Sequence, residues 1–581
     1  MDANLLYIIS FLGFIVSFIL LWAVKLYIAN PRASFVKHIL YPLAVPRLGT
    51  TRMDVLVFVI ILSSNLIVVL LPAFFPGWRE IQKRAALSAL VNIVPLSFGG
   101  RDVLIDALNM PRRWHRSLHI IVGIIVAFEA ASHGTIAIVL RPRSGQLAKS
   151  GYIASGLLGG VVLLAVPFTR RCFGRWFLLA HRTTYLGSMA ALLWHVLQSA
   201  SSRGRLLLWL SVSLWLSTSL FRVVRVSLYS TAAEIERLSE TTDALLCTVR
   251  LTRAVKLRPG CHFYLYFPQN FYALLGFSKY NLLQSFTVMA LWHPTEEPRL
   301  VSSVSFLLSR HGHHATAISK LGEGSCVLLD GPYGQDLALE RQENVILVAK
   351  GMGIAGVLHV ALDLAIRRFH DNSVKDRIEE LKKLTRGTLD SAQSSHHRRE
   401  ISELRQIKLF RDVTKKVIIF WSLEKNSQMD WVRKQMNELQ GLDLHNRLIV
   451  VCCGYDKPRV GFEPFPTSAY WMCLDPNGGM PFDQFIVSKI KEERCRLPGR
   501  MAVVVCGGSK FKRLIRGAVL ECLGEELVRY VESAYQPREL AGPEAMHVGR
   551  SGAAQLREIP TISRPRKTYS VASASSLYSN K

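Results

Sequence analysis

The sequence predicts a chain of three parts: a bundle of seven membrane-spanning helices, a small antiparallel β-barrel and an α/β domain. Three observations carry this prediction. Half of the 581 residues are hydrophobic, but the long apolar runs crowd the first 230 positions while polar, charged sequence fills the rest. Near residue 243 the unbroken apolar runs give way to alternating and β-branched sequence. From 344 a buried-type strand, a Gly-rich turn and a helix follow in order, and further strands recur after them.

The expected spans are 5–28, 54–75, 82–99, 116–140, 152–169, 176–200 and 206–229, each close to the ~20 residues a bilayer requires. The first lacks a basic leader and a small-residue cleavage site and is read as a span. Asn92 and Pro95 interrupt the third. Loops after spans one, three and five are the richer in Lys and Arg (Arg32, Lys37, Arg47, Arg52; Arg101, Arg112, Arg113, Arg116; Arg170, Arg171, Arg175). That bias puts the N-terminus outside and the C-terminal half in the cytosol. The net charge of +28 comes largely from such loops and from the tail. No nucleic-acid-binding motif accompanies it, so positive loops and a solvated face are the preferred reading and no nucleic-acid partner is expected. The ten cysteines show neither a C-x-x-C pair nor zinc spacing, and disulfides are not expected in a reducing cytosol.

Two spans carry paired histidines. His119 and His133 lie in the run 114–140, His181 and His195 in 176–200, and both pairs are 14 positions apart. At about 100° per residue, 14 steps return both rings to nearly one face, roughly 21 Å apart along the axis. Two such helices offer two His–His pairs at two depths, each able to grip a haem iron from both sides. The alternative is that each ring hydrogen-bonds a carbonyl. Ionisable groups in a bilayer are costly, and two equal spacings favour the metal. With the predicted orientation, His119 and His181 form the inner pair and His133 and His195 the outer pair, a wire for electrons moving outward. His115 rivals His119 from one turn earlier, but it stands among Arg112, Arg113 and Arg116. Arg116, Arg175 and Arg182 are candidates to hold haem propionates, or are plain positive-inside charge.

In the polar half, 244–268 reads as strands around a Pro259-Gly260 turn, and 282–290 and 301–308 continue the barrel to Asp330-Gly331-Pro332-Tyr333-Gly334. NVILVA (344–349) is a strand, Lys350-Gly351-Met352-Gly353 a turn and 354–370 a helix, an arrangement that brings backbone N–H groups and a helix N-terminus to a phosphate. Strands follow at 416–424, 447–454 and 501–508, with a helix from about 509. Residues 371–412, charged and rich in Ser and His, read as a solvated or partly disordered insertion. His396 and His397 are either a metal pair or part of a polar loop. The Ser-rich basic tail 541–581 reads as disordered. The domains expected are thus 1–235, 240–335 and 340–540.

Taken together, the paired histidines, the barrel, the GPYG segment, the Gly-rich turn and the terminal Cys506-Gly507 strand resemble the ferric reductase/NADPH oxidase superfamily, most closely the fungal ferric-chelate reductases. The resemblance covers about 80–535 and includes VAKGMGIAG (348–356), FWSLE (420–424) and Ala534-Tyr535-Gln536-Pro537. It implies a ferredoxin-reductase-like soluble half and NADPH, FAD and two haem b groups as cofactors. Electrons would run from NADPH to FAD, to the inner haem, to the outer haem and to an external ferric chelate. It implies His119, His133, His181 and His195 as haem ligands, and Gln284, Ser285, Phe286, Thr287, Gly331, Pro332, Tyr333 and Gly334 at the flavin. Lys350, Gly351, Gly353 and Gly507 fall at the nucleotide, and Cys506 as the catalytic residue at the nicotinamide–flavin contact; a buried strand cysteine is the alternative. It also implies a plasma-membrane setting and an iron permease or multicopper oxidase as partner. Where the family has His-Pro-Phe-Thr, this chain has Gln284-Ser285-Phe286-Thr287; Lys350 replaces a small residue and Gly508 a proline. A superoxide-producing oxidase and a haem-binding, non-catalytic paralogue are the other readings.

Overall fold

The computed structural model describes residues 35–45, 50–70, 77–97, 112–140, 145–173, 177–199, 201–240, 244–267, 286–292, 300–310, 321–334, 337–387, 391–443, 448–454, 469–473, 482–496, 499–523 and 528–533. The expected first span and the tail lie outside them. Six long helices fill the N-terminal half: α1 (Arg52–Leu70), α2 (Trp78–Leu96), α3 (Arg112–Leu140), α4 (Gln146–Ala165), α5 (Phe177–Gln198) and α6 (Ser202–Tyr229). Four of them, Arg52–Leu70, His115–Leu140, Gln146–Ala165 and Ser202–Leu228, are long and apolar enough to cross a membrane. α2 is diluted by Arg79, Glu80, Lys83 and Arg84, and α5 by His181, Arg182 and His195. α2 packs along α3, and α4 along α5. Leu90, Ile93, Val126, Met189, Val196 and Leu208 close the bundle core. Large apolar side chains such as Phe128, Leu163 and Leu220 point outward, an exterior suited to hydrocarbon rather than water.

The chain leaves α6 at Tyr229 and enters the barrel at once. Strand β1 (Thr231–Glu240) buries Thr231, Ala233 and Ile235 and exposes the residues between, the period-2 pattern of a half-buried strand. The barrel therefore starts inside the segment assigned to the membrane domain, not near 240. Five more strands follow: β2 (Ala244–Lys256), β3 (His262–Tyr266), β4 (Phe286–Trp292), β5 (Leu300–Ser309) and β6 (Cys326–Tyr333). They close in the order β1-β2-β5-β4-β3-β6, around Val249, Phe263, Val304, Phe306 and Leu329. Closure removes the free edges of the sheet.

The last part is a parallel sheet. β7 (Asn344–Lys350), β8 (Lys416–Ser422), β9 (Leu448–Gly454), β10 (Ala469–Cys473), β11 (Met501–Cys506) and β12 (Val528–Ser533) lie in the order β10-β9-β8-β7-β11-β12. β10 and β12 were not legible as strands. Both faces of the sheet are covered, as βαβ crossovers require. Val36 sits in one of these cores, and the Tyr530 N–H donates to the Tyr41 hydroxyl at 2.8 Å. The segment ahead of α1 is thus fastened to the C-terminal sheet.

The described residues of 371–412 form a helical hairpin rather than a partly disordered insertion. α7 (Leu358–Gly387) runs straight through Asp371, and α8 (Ser391–Gln406) folds back along it. Val374, Leu381 and Ile401 are buried between them, a helical period hidden by the surrounding charge. Arg377 pairs with Glu400 at 2.9 Å. The returning chain is held by the Asp371 carboxylate, which accepts from the N–H groups of Phe410 and Arg411 at 2.8 Å each. Arg367 Nε donates to Asp412 at 2.7 Å. Removing the Asp371 carboxylate strands two backbone donors. Asp371→Ala is expected to cost about 2 kcal/mol, read as a lower melting temperature of the full-length protein, and to open 388–412 to limited proteolysis.

Candidate functional site

α3 runs parallel to α5, since His133 meets His195 while His119 lies within reach of His181, and α6 runs back along α5 from the contact of Gly204 with Val196. α6 ends against the barrel, where Val226 packs with Tyr264, Tyr266 and Tyr333. α5, and α3 parallel to it, therefore begin at the barrel end. His119 and His181 fall at that end, and His133 and His195 at the far one.

The far pair is in contact. The His133 and His195 rings are 6.4 Å apart between centroids and inclined at 69°. A metal bound at about 2 Å from one nitrogen of each ring needs ring centres about 6 Å apart. His133 Nδ1 faces the Gln82 carbonyl at 3.0 Å. His195 Nδ1 lies 3.2 Å from both the Leu147 carbonyl and the Ser150 hydroxyl. A carbonyl only accepts, so Nδ1 of His133 carries the proton and Nε2 keeps its lone pair. Second hydrogen bonds of this kind orient metal-ligating histidines. Gly151 makes room for the ring, since a Cβ there would stand 3.1 Å from His195 Cε1.

At the barrel end, His119 lies within electrostatic reach of His115 and His181. His181 Nδ1 is buried with no hydrogen-bond partner among the described residues. Phe177 packs on its ring at 5.5 Å, with the Arg170 guanidinium over the Phe177 ring. Arg116, Arg170 and Arg182 gather around this pair. Sequence reasoning named Arg116 and Arg182 but missed Arg170; Arg175 lies outside the described residues.

In the barrel, β3 has β4 on one side and β6 on the other. Leu265 faces Phe286 and Tyr264 faces Thr287 across one ladder; Tyr264 faces Asp330 across the other. The structure thus brings Phe286-Thr287 and the Gly331–Gly334 segment to either side of one strand, whereas Gln284 and Ser285 lie outside the described residues. Gly334 (φ +120°) packs so tightly that a Cβ would stand 2.6 Å from the Gly260 carbonyl, a conformation that favours glycine. Tyr333 stacks on His262, donates to Asp330 at 2.6 Å and is covered by Arg225 at 4.2 Å. Arg225, one turn before the end of α6, is a residue that sequence reasoning had no signal for.

In the sheet, the order reverses between β7 and β11. That switch point is where open α/β sheets bind ligands beyond their strand ends. Lys350-Gly351 ends one strand and Cys506-Gly507 the other. Gly351 takes φ +52° and its carbonyl accepts from Trp421 Nε1 at 2.9 Å. A Cβ at Gly353 would collide with the Cys506 carbonyl, and one at Gly356 with Cys506 Sγ. Cys506 is fully buried, its sulfur against Gly356. Lys350 is exposed at the mouth, and the Glu424 carboxylate, unremarked in the sequence, stands beside Gly351. Among the described residues no group of three or more His, Cys, Asp or Glu is placed to hold a metal ion. His396 and His397 sit side by side on α8.

His359 joins the barrel to this sheet. It is fully buried on α7, its Nε2 accepts from the Gly260 N–H at 2.6 Å, and its Nδ1 faces the Ala355 carbonyl at 3.3 Å. Burial pushes its pKa down to about 4.

No protein-family model and no curated protein matches the chain. Among solved structures it is similar to a flavohemoglobin from Malassezia yamatoensis with bound FAD and heme, at 13% identity and a TM-score of 0.34, over 81% of this chain and 99% of that one. It is similar to a ferredoxin NADP+ reductase from Neisseria gonorrhoeae with bound FAD and NADP, at 13% identity and a TM-score of 0.32, over 52% of this chain and 98% of that one. It is also similar to the FAD/NAD binding domain of a nitric oxide dioxygenase from Vibrio cholerae, at 9% identity and a TM-score of 0.30, over 52% and 98%. At those scores the architecture rests on this chain's own barrel closure and strand order.

Two outcomes follow from the geometry. His359 is held neutral with a folded pKa near 4, below the unfolded value of about 6.5. The unfolded chain then binds more protons between these values, and stability falls as pH drops from about 6.5 to about 4, by an order of 3 kcal/mol. Melting temperatures across this range should show the slope, and His359→Gln should flatten it. Gly356→Ala, which drives a methyl into Cys506 Sγ, is expected to lower stability by about 2 kcal/mol, whereas Gly441→Ala, with open space around it, should not.

Proposed function

We propose that this protein is a transmembrane ferric-chelate reductase, carrying electrons from cytosolic NADPH through FAD and two bis-histidine haems to Fe(III) outside the plasma membrane. The observation that carries the reading is the His133–His195 pair: two rings 6.4 Å apart between centroids, each anchored through Nδ1, whose other nitrogens could hold one metal ion between them. The orphaned Nδ1 of His181 and the three guanidiniums around it fit a second group bearing carboxylates at the barrel end. If bound, NADPH would supply a hydride, FAD would allow its electrons to leave singly, and haem would provide one-electron carriers.

The chain's own residues position and insulate. Gly351, Gly353 and Gly356 let the backbone turn closely over the β7–β11 switch point, so its N–H groups and the N-terminal end of α7 can receive a phosphate. Lys350 adds positive charge at the mouth. Phe286, Thr287 and Gly331–Gly334 would hold the flavin on either side of β3, and the Gly260–His359 hydrogen bond keeps the barrel at a fixed distance from the nucleotide turn. Cys506 packs the floor of that turn. Arg222 and Arg225 tie the end of α6 to Tyr266 and Tyr333, which supports a short path from barrel to inner histidines. The fastening of Tyr41 to Tyr530 puts the loop before α1 on the same side as the sheet, in support of a cytosolic C-terminal half. Fe(II) leaving the outer face would suit an iron permease or multicopper oxidase as partner.

The test is a reduced-minus-oxidised spectrum with flavin quantification on the purified protein. Two b-type haems and one flavin per chain are expected. His133→Ala should remove about half the haem and cut ferric-chelate reduction at least tenfold, since a haem takes its electronic properties from its axial ligands. A protein without haem absorbance, or a variant with its haem content unchanged, would refute the reading.

A further inference from the structure

One acid lies inside the bundle. Glu129 is 4% exposed, and sequence reasoning passed over it although an intramembrane carboxyl is costly and functional by default. Three residues from two other helices surround it. Ser88 Oγ is 2.6 Å from Glu129 Oε1 and 3.0 Å from Asn65 Oδ1. Asn92 Nδ2 is 2.9 Å from Glu129 Oε2 and 2.7 Å from Asn65 Oδ1. Asn65 Nδ2 donates to the Ile61 carbonyl at 2.8 Å, which fixes Asn65 with its oxygen toward the cluster.

Counting hydrogens decides the protonation state. The cluster holds four contacts. Asn92 supplies two N–H groups and fills two of them, while Ser88 has a single hydrogen for its two. Asn65 Oδ1 can only accept, and so can the oxygens of a carboxylate, so the single Ser88 hydrogen fills one of its two contacts and leaves the other without a hydrogen unless the carboxyl brings its own. With Glu129 as a carboxylic acid donating to Ser88 and accepting from Asn92, all four contacts are hydrogen bonds. With a carboxylate, two oxygens face each other without a proton in a site that water does not reach, a costly arrangement.

Among the described residues no counter-ion is paired with Glu129. α1 offers Arg52 and Asp54 at its start, α2 Arg79, Glu80, Lys83 and Arg84, α4 Lys149, and α3 itself Arg112, Arg113, His115, Arg116, His119 and His133. None of the described residues forms an ion pair with Glu129. Arg84, one turn before Ser88, keeps a buried Nη1 without a partner. His133 follows Glu129 by four residues on the same helix, one turn and about 6 Å along the axis.

We propose that Glu129 is a proton-binding site coupled to the His133–His195 centre. This rests on the electron-transfer reading above. The fully hydrogen-bonded cluster, with Glu129 as the neutral acid, accompanies the reduced centre; with the centre oxidised, and one unit more positive, Glu129 is the carboxylate. An electron arriving at the outer centre adds one negative charge to a dry site, and one proton binding the Glu129 carboxylate cancels it. When the electron passes to the ferric acceptor, the O–H bond of Glu129 breaks and the proton returns to solvent.

Infrared difference spectroscopy on the full-length protein in nanodiscs tests this. In the reduced protein at neutral pH a carboxylic C=O band that shifts in D2O is expected, absent from Glu129→Gln and moved to higher frequency in Asn92→Ala, which removes the donor to the carbonyl oxygen. If Glu129→Gln fails to fold, the Asn92→Ala shift decides the assignment. In wild type the band should grow on reduction and shrink on reoxidation. A band retained in Glu129→Gln, or one seen only at the acid pH of exposed carboxylates, overturns the protonated acid. A band indifferent to reduction in haem-loaded protein overturns the coupling. Absence of haem would defeat the electron-transfer reading and the coupling with it, while the pH dependence of the band still decides the proton site.

Discussion

A polar group in an apolar bundle has no water to fall back on and must find its partner within the protein. That constraint arranges the N-terminal half. His133 turns Nδ1 to the Gln82 carbonyl, His195 to Leu147 and Ser150, and Ser97 meets Tyr185 at 3.1 Å. Asn65, Ser88, Asn92 and Glu129 satisfy one another across α1, α2 and α3. Each bond that satisfies a polar atom also sets the position of a helix. The His133 and His195 rings are consequently held in place by the protein's own carbonyls and hydroxyl, the preorganisation that the proposed metal site calls for.

The same economy of position recurs in the soluble half, with glycine in place of hydrogen bonds. Gly353 and Gly356 allow the turn after β7 to lie directly on the end of β11, and Gly334 allows the end of β6 to lie on the Pro259-Gly260 turn. Gly260 in turn donates to His359 on α7. Barrel and sheet are thus joined through a short relay of close backbone contacts, and the two candidate cofactor turns sit at its two ends. A side chain at any of these glycines would separate surfaces that the reading needs adjacent.

Much of the fold was legible because its signals are local. Apolar runs marked the helices, alternation marked β2 and β5, and NVILVA with its glycines marked β7 and the turn. What failed was also local. Thr231–Glu240 falls across the expected boundary between 235 and 240 because it buries only Thr231, Ala233 and Ile235, and the charge on Lys382, Lys383, Arg398 and Arg399 concealed the Val374, Leu381 and Ile401 stripe of the α7–α8 hairpin. β10 and β12 are five and six residues long, too short for periodicity to speak without their neighbours.

The sequence by itself determined which residues could do chemistry and how they repeat: two histidine pairs 14 apart, a Gly-rich turn after a strand, a Cys-Gly at the end of another. Helical period and strand alternation are properties of consecutive residues, so a linear text contains them. The tertiary structure decided which of those residues meet. It set His133 against His195, brought Phe286-Thr287 and Gly331–Gly334 to the two sides of β3, and closed Asn65, Ser88 and Asn92 around Glu129. Those pairings depend on helix rotation, barrel closure and strand order, which are fixed by packing across the whole chain. No window of sequence holds them.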